Sequence, residues 1–335
     1  MSIHVHKPGL LSTLQDAGRY GYQKYGVIVS GAMDPFAHRT ANWLVGNEED
    51  EATMEMTVIG PVLYFAEAAL IAICGSNLQP RIDGVSVPLW RPVYVKAGTT
   101  LQFASSREGC RSYLAVAGGF NVPRQMASYS TYLRAGIGGF EGRALKERDQ
   151  LQVKPASALS RSIQQRLSSR MDGDAPFGTI SWRVSYELLP AYAANPEIRV
   201  NAGAQYDLFE PASLEALLTA EFVVQPQSDR MGYRLTGKPL MMIERKEMLS
   251  EPVTFGTMQV PPDGNPIVLM ADRQTTGGYP KVAQVISADL PLLAQAQIGS
   301  RIRFKLINLY EAQEAHLKME LNVNFLKKSI HMYFD

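Results

Sequence analysis

The sequence predicts a mainly β protein, arranged as a tandem pair of β-barrels with a few short helices. Three observations carry this. In "RIRFKLIN", Ile302, Phe304 and Leu306 alternate with Arg301, Arg303 and Lys305, the period-two signature of a half-buried strand. Glycines and prolines, 27 and 20 among 335 residues, recur at the short intervals that many strands joined by turns require. Two skeletons also recur in the two halves. "AGTTLQF" (97–103) matches "IGSRIRF" (298–304), and "RIDG" ending at Gly84 resembles "RLTG" ending at Gly237.

Taken in order, Asp34 and Pro35 open the first helix. The aspartate can cap open N–H groups and proline suits the first helical position. Ala37, Ala41, Leu44 and Val45 then share a face, and Gly46 ends the segment. "VYVKAGTTLQF" reads as strand on both sides of Gly98, and "RSYLAVAGG" (111–119) as a deeply buried strand. A stretch rich in Ser and Arg, 155–176, suits an inter-domain crossing. A second helix follows Pro211, with Leu214, Leu217 and Leu218 inward. "PIVLMAD" (266–272) is another buried strand, and a third helix covers Tyr310 to Met319, beyond which the pattern is ambiguous. The expected division is a first barrel over 1–155, a linker over 156–190, a second barrel over 191–312 and a tail over 313–335.

Composition narrows the function. With 46% hydrophobic and 19% charged residues the chain can bury a sizeable core, and a net charge of +1 gives no global field for nucleic acid or an anionic membrane. "MSIHVHKPGL" lacks the apolar core of a signal peptide, and the longest apolar run, Ala68 to Cys74, is too short to span a bilayer. A cytoplasmic protein is expected, with neither nucleic acid nor membrane as partner. Cys74 and Cys110 lie in apolar stretches without a CxxC pair and read as reduced core residues. His4 and His6 share a strand face, but no third ligand follows nearby, so no metal is expected. There is no phosphate loop and no nucleophile elbow. In "GIGGFEG" Glu141 stands where a dinucleotide fingerprint needs its third glycine. No Met-Lys-Met segment offers a lysine to biotin, so no covalently attached cofactor is expected.

Four stretches gather polar groups beside glycines. "PGLLSTLQDAGRYGYQKYGVIVSGAMD" (8–34) holds Gln15, Asp16, Arg19, Ser30 and Asp34, and Arg19 could grip a carboxylate in a two-pronged contact or simply pair with Asp16. "SYSTYLRAGIGGFEGR" (128–143) places Ser128, Ser130 and Thr131 before Arg134 and a glycine cluster, the composition of an anion nest or of a surface loop. In "QSDRMGYRLTG" (227–237), Arg230 and Arg234 would face one way on a strand, with Gly232 leaving a gap for a small anion between them. "GTMQVPPDGNPIVLMADRQTTGGYP" (256–280) clusters Gln259, Asp272, Arg273, Gln274, Thr275 and Thr276 at one strand end, more polar groups than a turn needs.

These stretches, in this order, resemble the allophanate hydrolase subunit 2 family. "SGAMD" (30–34), "SDRMGYRL" (228–235) and "DRQTTGGYP" (272–280) carry the likeness most specifically, and it extends from about Ile3 to Ala312. The family takes in the KipA antagonists of KipI, also described as the C subunit of an ATP-dependent 5-oxoprolinase, and the matching part of urea carboxylase. The resemblance implies cyclophilin-like barrels, without implying prolyl isomerase activity. It implies an enzyme subunit working with a KipI-like B subunit and an A subunit to convert 5-oxoproline, a small amide, to glutamate. ATP would be bound with those partners. One departure is Arg148 in "LKERDQL", where the family pattern leads one to expect glycine.

Lactam opening requires a stabilised oxyanion and a held substrate carboxylate. On those grounds Asp272, Arg273, Gln274, Thr275 and Thr276 are the candidate catalytic residues. Asp272 would orient Arg273. Arg230, Arg234, Gln259, Gly277, Gly278, Tyr279, Arg19 and Ser130 are the candidate substrate-binding residues, with the backbone N–H of Gly277 or Gly278 as an oxyanion donor. Two other readings use the same groups: biotin-dependent carboxyl transfer to a small amide such as urea, and a purely regulatory role in which the chain sequesters a KipI-like inhibitor.

Overall fold

A computed structural model describes every residue except Arg107, Asp172, Arg245 and Asp335. The protein is mainly β with few helices, and its contacts divide it into two units. The first comprises 1–19, 34–189 and 322–335, the second 20–33 and 190–321.

The first unit contains two six-stranded sheets. One runs Gln150–Gln152, Ser2–Lys7, Val62–Phe65, Thr99–Gln102, Arg81–Ile82, Val85–Ser86. The other runs Phe177–Thr179, Pro92–Val95, Ala69–Gly75, Arg111–Val116, Thr53–Thr57, Leu11–Gln15. These strands form two sheets in place of one continuous ring. The first sheet ends on Val85–Ser86, a pair of exposed residues too short to carry a ladder further. Ile3, Leu63, Ile71, Leu101, Leu114 and Phe120 belong to one buried core. Arg111–Val116 is buried at every position, as its continuous apolar run requires.

Helix α1 (Pro35–Leu44) starts as its sequence dictates: the Asp34 carboxylate accepts from the Ala37 N–H at 3.0 Å, and Pro35 fills the first turn. Helix α2 (Ala158–Ser168) lies inside the stretch expected to be a crossing, and Phe177–Thr179 pairs there with Pro92–Val95. Contacts therefore assign 156–189 to the first unit. Ser157 caps α2 through the Ser160 N–H, and Ile163 and Leu167 are its buried apolar side chains. Two such residues among serines and arginines leave little periodicity to read. At Arg148, where glycine is expected, the backbone sits at φ 71°, the left-handed region that glycine occupies without strain.

The second unit is a closed barrel of seven strands. Their order is Glu197–Ala202, Lys281–Val285, Thr257–Gln259, Ile267–Leu269, Gly232–Thr236, Phe222–Val224, Arg301–Leu306. The ring closes where Arg301–Leu306 lies parallel to Glu197–Ala202, with Phe304 opposite Ile198. Ile302 and Phe304 point into the core as their alternation predicts, while Leu306 is exposed at the strand end. Helix α3 (Pro211–Thr219) covers the barrel with Leu217 buried and Leu214 and Leu218 packed beside it. A short helix, α4 (Leu290–Ala294), follows the barrel strand Lys281–Val285. Met33, from the separate 20–33 segment, is fully buried in this core. Helix α5 (Leu309–Phe334) runs far beyond the expected Met319, through 26 residues. No helix among the described residues is long and apolar enough to cross a membrane.

Candidate functional site

The barrel strand Ile267–Leu269 delivers the chain into the "DRQTTGGYP" loop, and its register with Gly232–Thr236 decides what meets there. Gly232 opposes Leu269, which sets the preceding Arg230 beside the following Asp272. The backbone closes the junction: the Asp272 N–H donates to the Arg230 carbonyl at 2.7 Å, and the Met270 N–H to the Met231 carbonyl at 2.9 Å. The side chains then form a two-pronged ion pair, Arg230 Nε to Asp272 Oδ2 and Nη2 to Oδ1, both at 3.0 Å. Both side chains are buried, 6% and 7% exposed, so the pair is shielded from solvent screening. Arg230 Nη2 also donates to the Gly31 carbonyl at 2.6 Å. Through this one guanidinium "SDRMGYRL", "DRQTTGGYP" and the Gly31 of "SGAMD" meet within the second unit.

Two expectations change as a result. Asp272 orients Arg230 rather than Arg273, because the barrel register brings Arg230 to it. Arg230 also precedes its strand and is buried, while Arg234 lies on the strand and is exposed, so the two do not flank a gap. Nor is there room at Gly232, where a Cβ would stand 2.9 Å from the Ile267 methyl. Arg234 instead lines an open depression of about 300 Å3 with Gln225, Gln227, Asp263 and Tyr279.

Arg273 is left as a cation directed elsewhere. Its guanidinium lies 5.8 Å from the centroid of the Phe255 ring, and its Nη1 reaches only the Met270 carbonyl, at 3.4 Å. Its Nε is buried without a hydrogen-bond partner among the described residues. Burial lowers its pKa from the ordinary arginine value, against the opposing pull of Tyr20 and Asp272, yet the group remains charged. A desolvated guanidinium with an unsatisfied N–H has the chemistry of an anion receptor. Ser30 adds a second buried donor without a partner among the described residues, its Oγ, on a residue held at φ 57°. Ser30 stands among the polar groups of the 8–34 stretch with no site role expected of it. Its place in "SGAMD" was the available signal.

The rest of the loop is placed as follows. Gln274 and Thr275 are half-buried, and the Thr275 carbonyl accepts from the Val253 N–H at 3.2 Å. Thr276 is exposed, and Thr276–Gly277 pairs with Glu251–Pro252 as a two-stranded ribbon. Gln259 is buried beneath it and donates from Nε2 to the Tyr279 carbonyl at 3.2 Å. A Cβ at Gly277 would stand 2.4 Å from that Nε2, so a side chain there would push the Gln259 amide from its place. Gly278 and Tyr279 border an apolar cavity of about 500 Å3, lined also by Met241, Met242, Met248 and Val260.

Arg19 and Ser130 belong to the first unit and are fully buried there. Arg19 donates from Nη2 to the Ser130 carbonyl at 2.7 Å and from Nε to the Gln125 carbonyl at 3.1 Å. Asp16 accepts from Ser128 Oγ at 2.7 Å, from Ser130 Oγ at 2.5 Å and from the Tyr129 N–H at 2.6 Å. The glycines that suggested an anion nest spend their N–H groups internally. Gly138 donates to Gln125 Oε1 and Gly139 to the Tyr129 carbonyl. A Cβ at Gly138 would lie 1.9 Å from the Ser130 carbonyl oxygen. Thr131 ties the 128–143 loop to the strand Leu11–Gln15: its Oγ1 and N–H donate to the Leu14 carbonyl at 2.9 and 3.0 Å, and its carbonyl accepts from Gln15 Nε2 at 3.2 Å.

Known proteins resemble the chain over nearly its whole length. It is 38% identical to the 5-oxoprolinase C subunit of Haemophilus influenzae over 95% of this chain and 96% of that one. It is 37% identical to the 5-oxoprolinase C subunit of Escherichia coli, over 93% of this chain and 94% of that one. Among solved structures, the K. lactis urea amidolyase superposes with a TM-score of 0.86 at 26% identity, over 97% of this chain and 20% of that one. The chain thus spans about a fifth of that larger enzyme. The model of the carboxyltransferase domain, subdomains A and B, matches residues 25–306, and the chain belongs to that family.

Proposed function

We propose that this chain is the C subunit of an ATP-dependent 5-oxoprolinase, acting with a KipI-like B subunit and an A subunit to open 5-oxoproline to glutamate. The observation that carries the reading is the end-to-end correspondence with two proteins named as C subunits of 5-oxoprolinase, over 96% and 94% of their lengths. The site's chemistry suits the reaction. Opening the lactam develops negative charge on the amide oxygen while the substrate carries a carboxylate, and both call for desolvated donors. Arg273, with its buried unsatisfied Nε, is the residue assigned to an anion, and the Arg230–Asp272 pair holds the loop that presents it. In this reading ATP is bound together with the partner subunits. Binding of the KipI-like subunit also provides the route by which the chain antagonises that kinase inhibitor.

A second reading, carboxyl transfer to a small amide such as urea, is favoured by the likeness to the K. lactis urea amidolyase at a TM-score of 0.86. Reconstitution decides between them. The three subunits together are expected to form glutamate from 5-oxoproline and ATP, and omission of any one should abolish it. Arg273→Ala should lower the rate about a hundredfold or more, as loss of one oxyanion donor does, with the complex still assembled. Full activity in Arg273→Ala overturns this assignment. Carboxylation of urea with biotin, without glutamate formation, replaces the reaction. Assembly with no turnover of either kind leaves the regulatory role alone.

A further inference from the structure

Helix α5 has two apolar faces. Ala312, Val323, Leu326, Ile330 and Phe334 are buried on one side. On the other, Tyr310, Leu317, Leu321, Phe325 and Met332 are 77%, 63%, 70%, 67% and 84% exposed. Five large apolar side chains open to water on one helix exceed the scattered exposure of an ordinary surface. At 3.6 residues per turn they fall within a sector of about 80° and extend over about 33 Å, and Glu314 and Lys328 lie in the same sector.

The order along this stripe is palindromic. Tyr310, Glu314, Leu317, Leu321, Phe325, Lys328 and Met332 are separated by 4, 3, 4, 4, 3 and 4 residues. A two-fold axis through Leu321 therefore sets Leu321 against its own copy, Leu317 against Phe325, Glu314 against Lys328 and Tyr310 against Met332. Charge agrees with register. The half before Leu321 carries Glu311, Glu314 and Glu320 against a single Lys318, and the half after it carries Lys327 and Lys328 with no acid through Phe334. Parallel pairing would place like charges together, whereas antiparallel pairing opposes acidic and basic halves.

We propose that α5 joins two copies of this chain as an antiparallel helix pair, centred on Leu321 and flanked by two equivalent Glu314–Lys328 ion pairs. The contact is isologous, the same stripe serving both copies, and it closes at the dimer.

Sedimentation velocity of the full chain is expected to show a dimer at micromolar concentration. Leu321→Glu, which brings two carboxylates together at the axis, should give a monomer with unchanged far-UV circular dichroism. Glu314→Lys or Lys328→Glu alone should weaken the dimer by on the order of tenfold, and the two together should restore it. Leu321→Cys should crosslink to itself on mild oxidation, since Cys74 and Cys110 are buried and silent. Leu317→Cys should crosslink only when mixed with Phe325→Cys chains. A monomer at all concentrations, a dimer indifferent to Leu321→Glu, or self-crosslinking of the Leu317→Cys chain in preference to the Leu321→Cys chain each overturns the proposal.

Discussion

Arg230, Asp272 and Arg273 show how little residue type says about role. Two arginines and an aspartate stand in conspicuous motifs, but only the register of Gly232 against Leu269 decides which arginine the carboxylate takes. The pair is buried on both sides, so removing one partner strands a charge in a poorly solvated place. Arg230→Met is expected to cost roughly 3–5 kcal/mol of unfolding free energy, because Asp272 is left uncompensated. Arg230→Met combined with Asp272→Leu should recover most of that loss, since an apolar pair of similar volume needs no desolvated charge. Chemical denaturation of the two variants measures the difference, and equal destabilisation in both would remove the ion pair as the cause. Arg273, by contrast, is left without the partner its neighbour in the chain suggests. Its partner was expected one residue away, and the contact that occupies Asp272 instead spans 42 residues of sequence. Local spacing holds no trace of such a pairing.

At the scale of elements, α1 was legible from its cap and its proline, and the fully buried strand from its apolar run. Helix α2 was not, because Ile163 and Leu167 are the only large apolar residues it buries. Nor was the length of α5, whose two apolar faces blur the single period that marks a surface helix. Helix α1 also carries a titratable group that its amphipathic reading hides. His38 is buried on it, with Nδ1 2.8 Å from Thr53 Oγ1. Burial lowers its pKa below the usual histidine value, against the nearby carboxylates of Asp16 and Glu55. The unfolded chain therefore takes up the proton first as pH falls. The stability His38 contributes is present in full above about pH 6.5 and is lost as pH drops from there through the folded-state value. The expected slope from this one group is at most about 1.4 kcal/mol per pH unit. Thermal unfolding between pH 7 and 5 should show a falling midpoint in the native chain and a smaller fall in His38→Asn. Parallel profiles for the two proteins would remove His38 as the cause.

At the scale of the whole chain, the mainly β character and the turn-rich strands were legible, and the domain limits were read differently from those the contacts draw. The expected limits assume that each barrel is one continuous stretch, whereas the second unit takes in 20–33 from far upstream. Composition gives no warning of this, because "YGYQKYGVIVSGAM" reads as a run of turns within its own neighbourhood. Its contributions are specific: Met33 is fully buried in the barrel core, and the Gly31 carbonyl accepts from Arg230. Losing a buried methionine costs about 2–5 kcal/mol, and leaving a buried charged donor short of an acceptor about 1–3 kcal/mol more. Small domains are stable by only about 5–15 kcal/mol, so a fragment spanning 190–321 alone should not hold its packed state. It is expected to show strand content in the far ultraviolet without the near-ultraviolet signal of fixed tyrosines, and to melt without a sharp transition. Returning 20–33 through a flexible linker should restore both, and Met33→Ala in that linked fragment should lower its melting point. A cooperative transition in the 190–321 fragment by itself would mean that the barrel is complete without the upstream segment, and that the convergence of three motifs on Arg230 is dispensable for the fold.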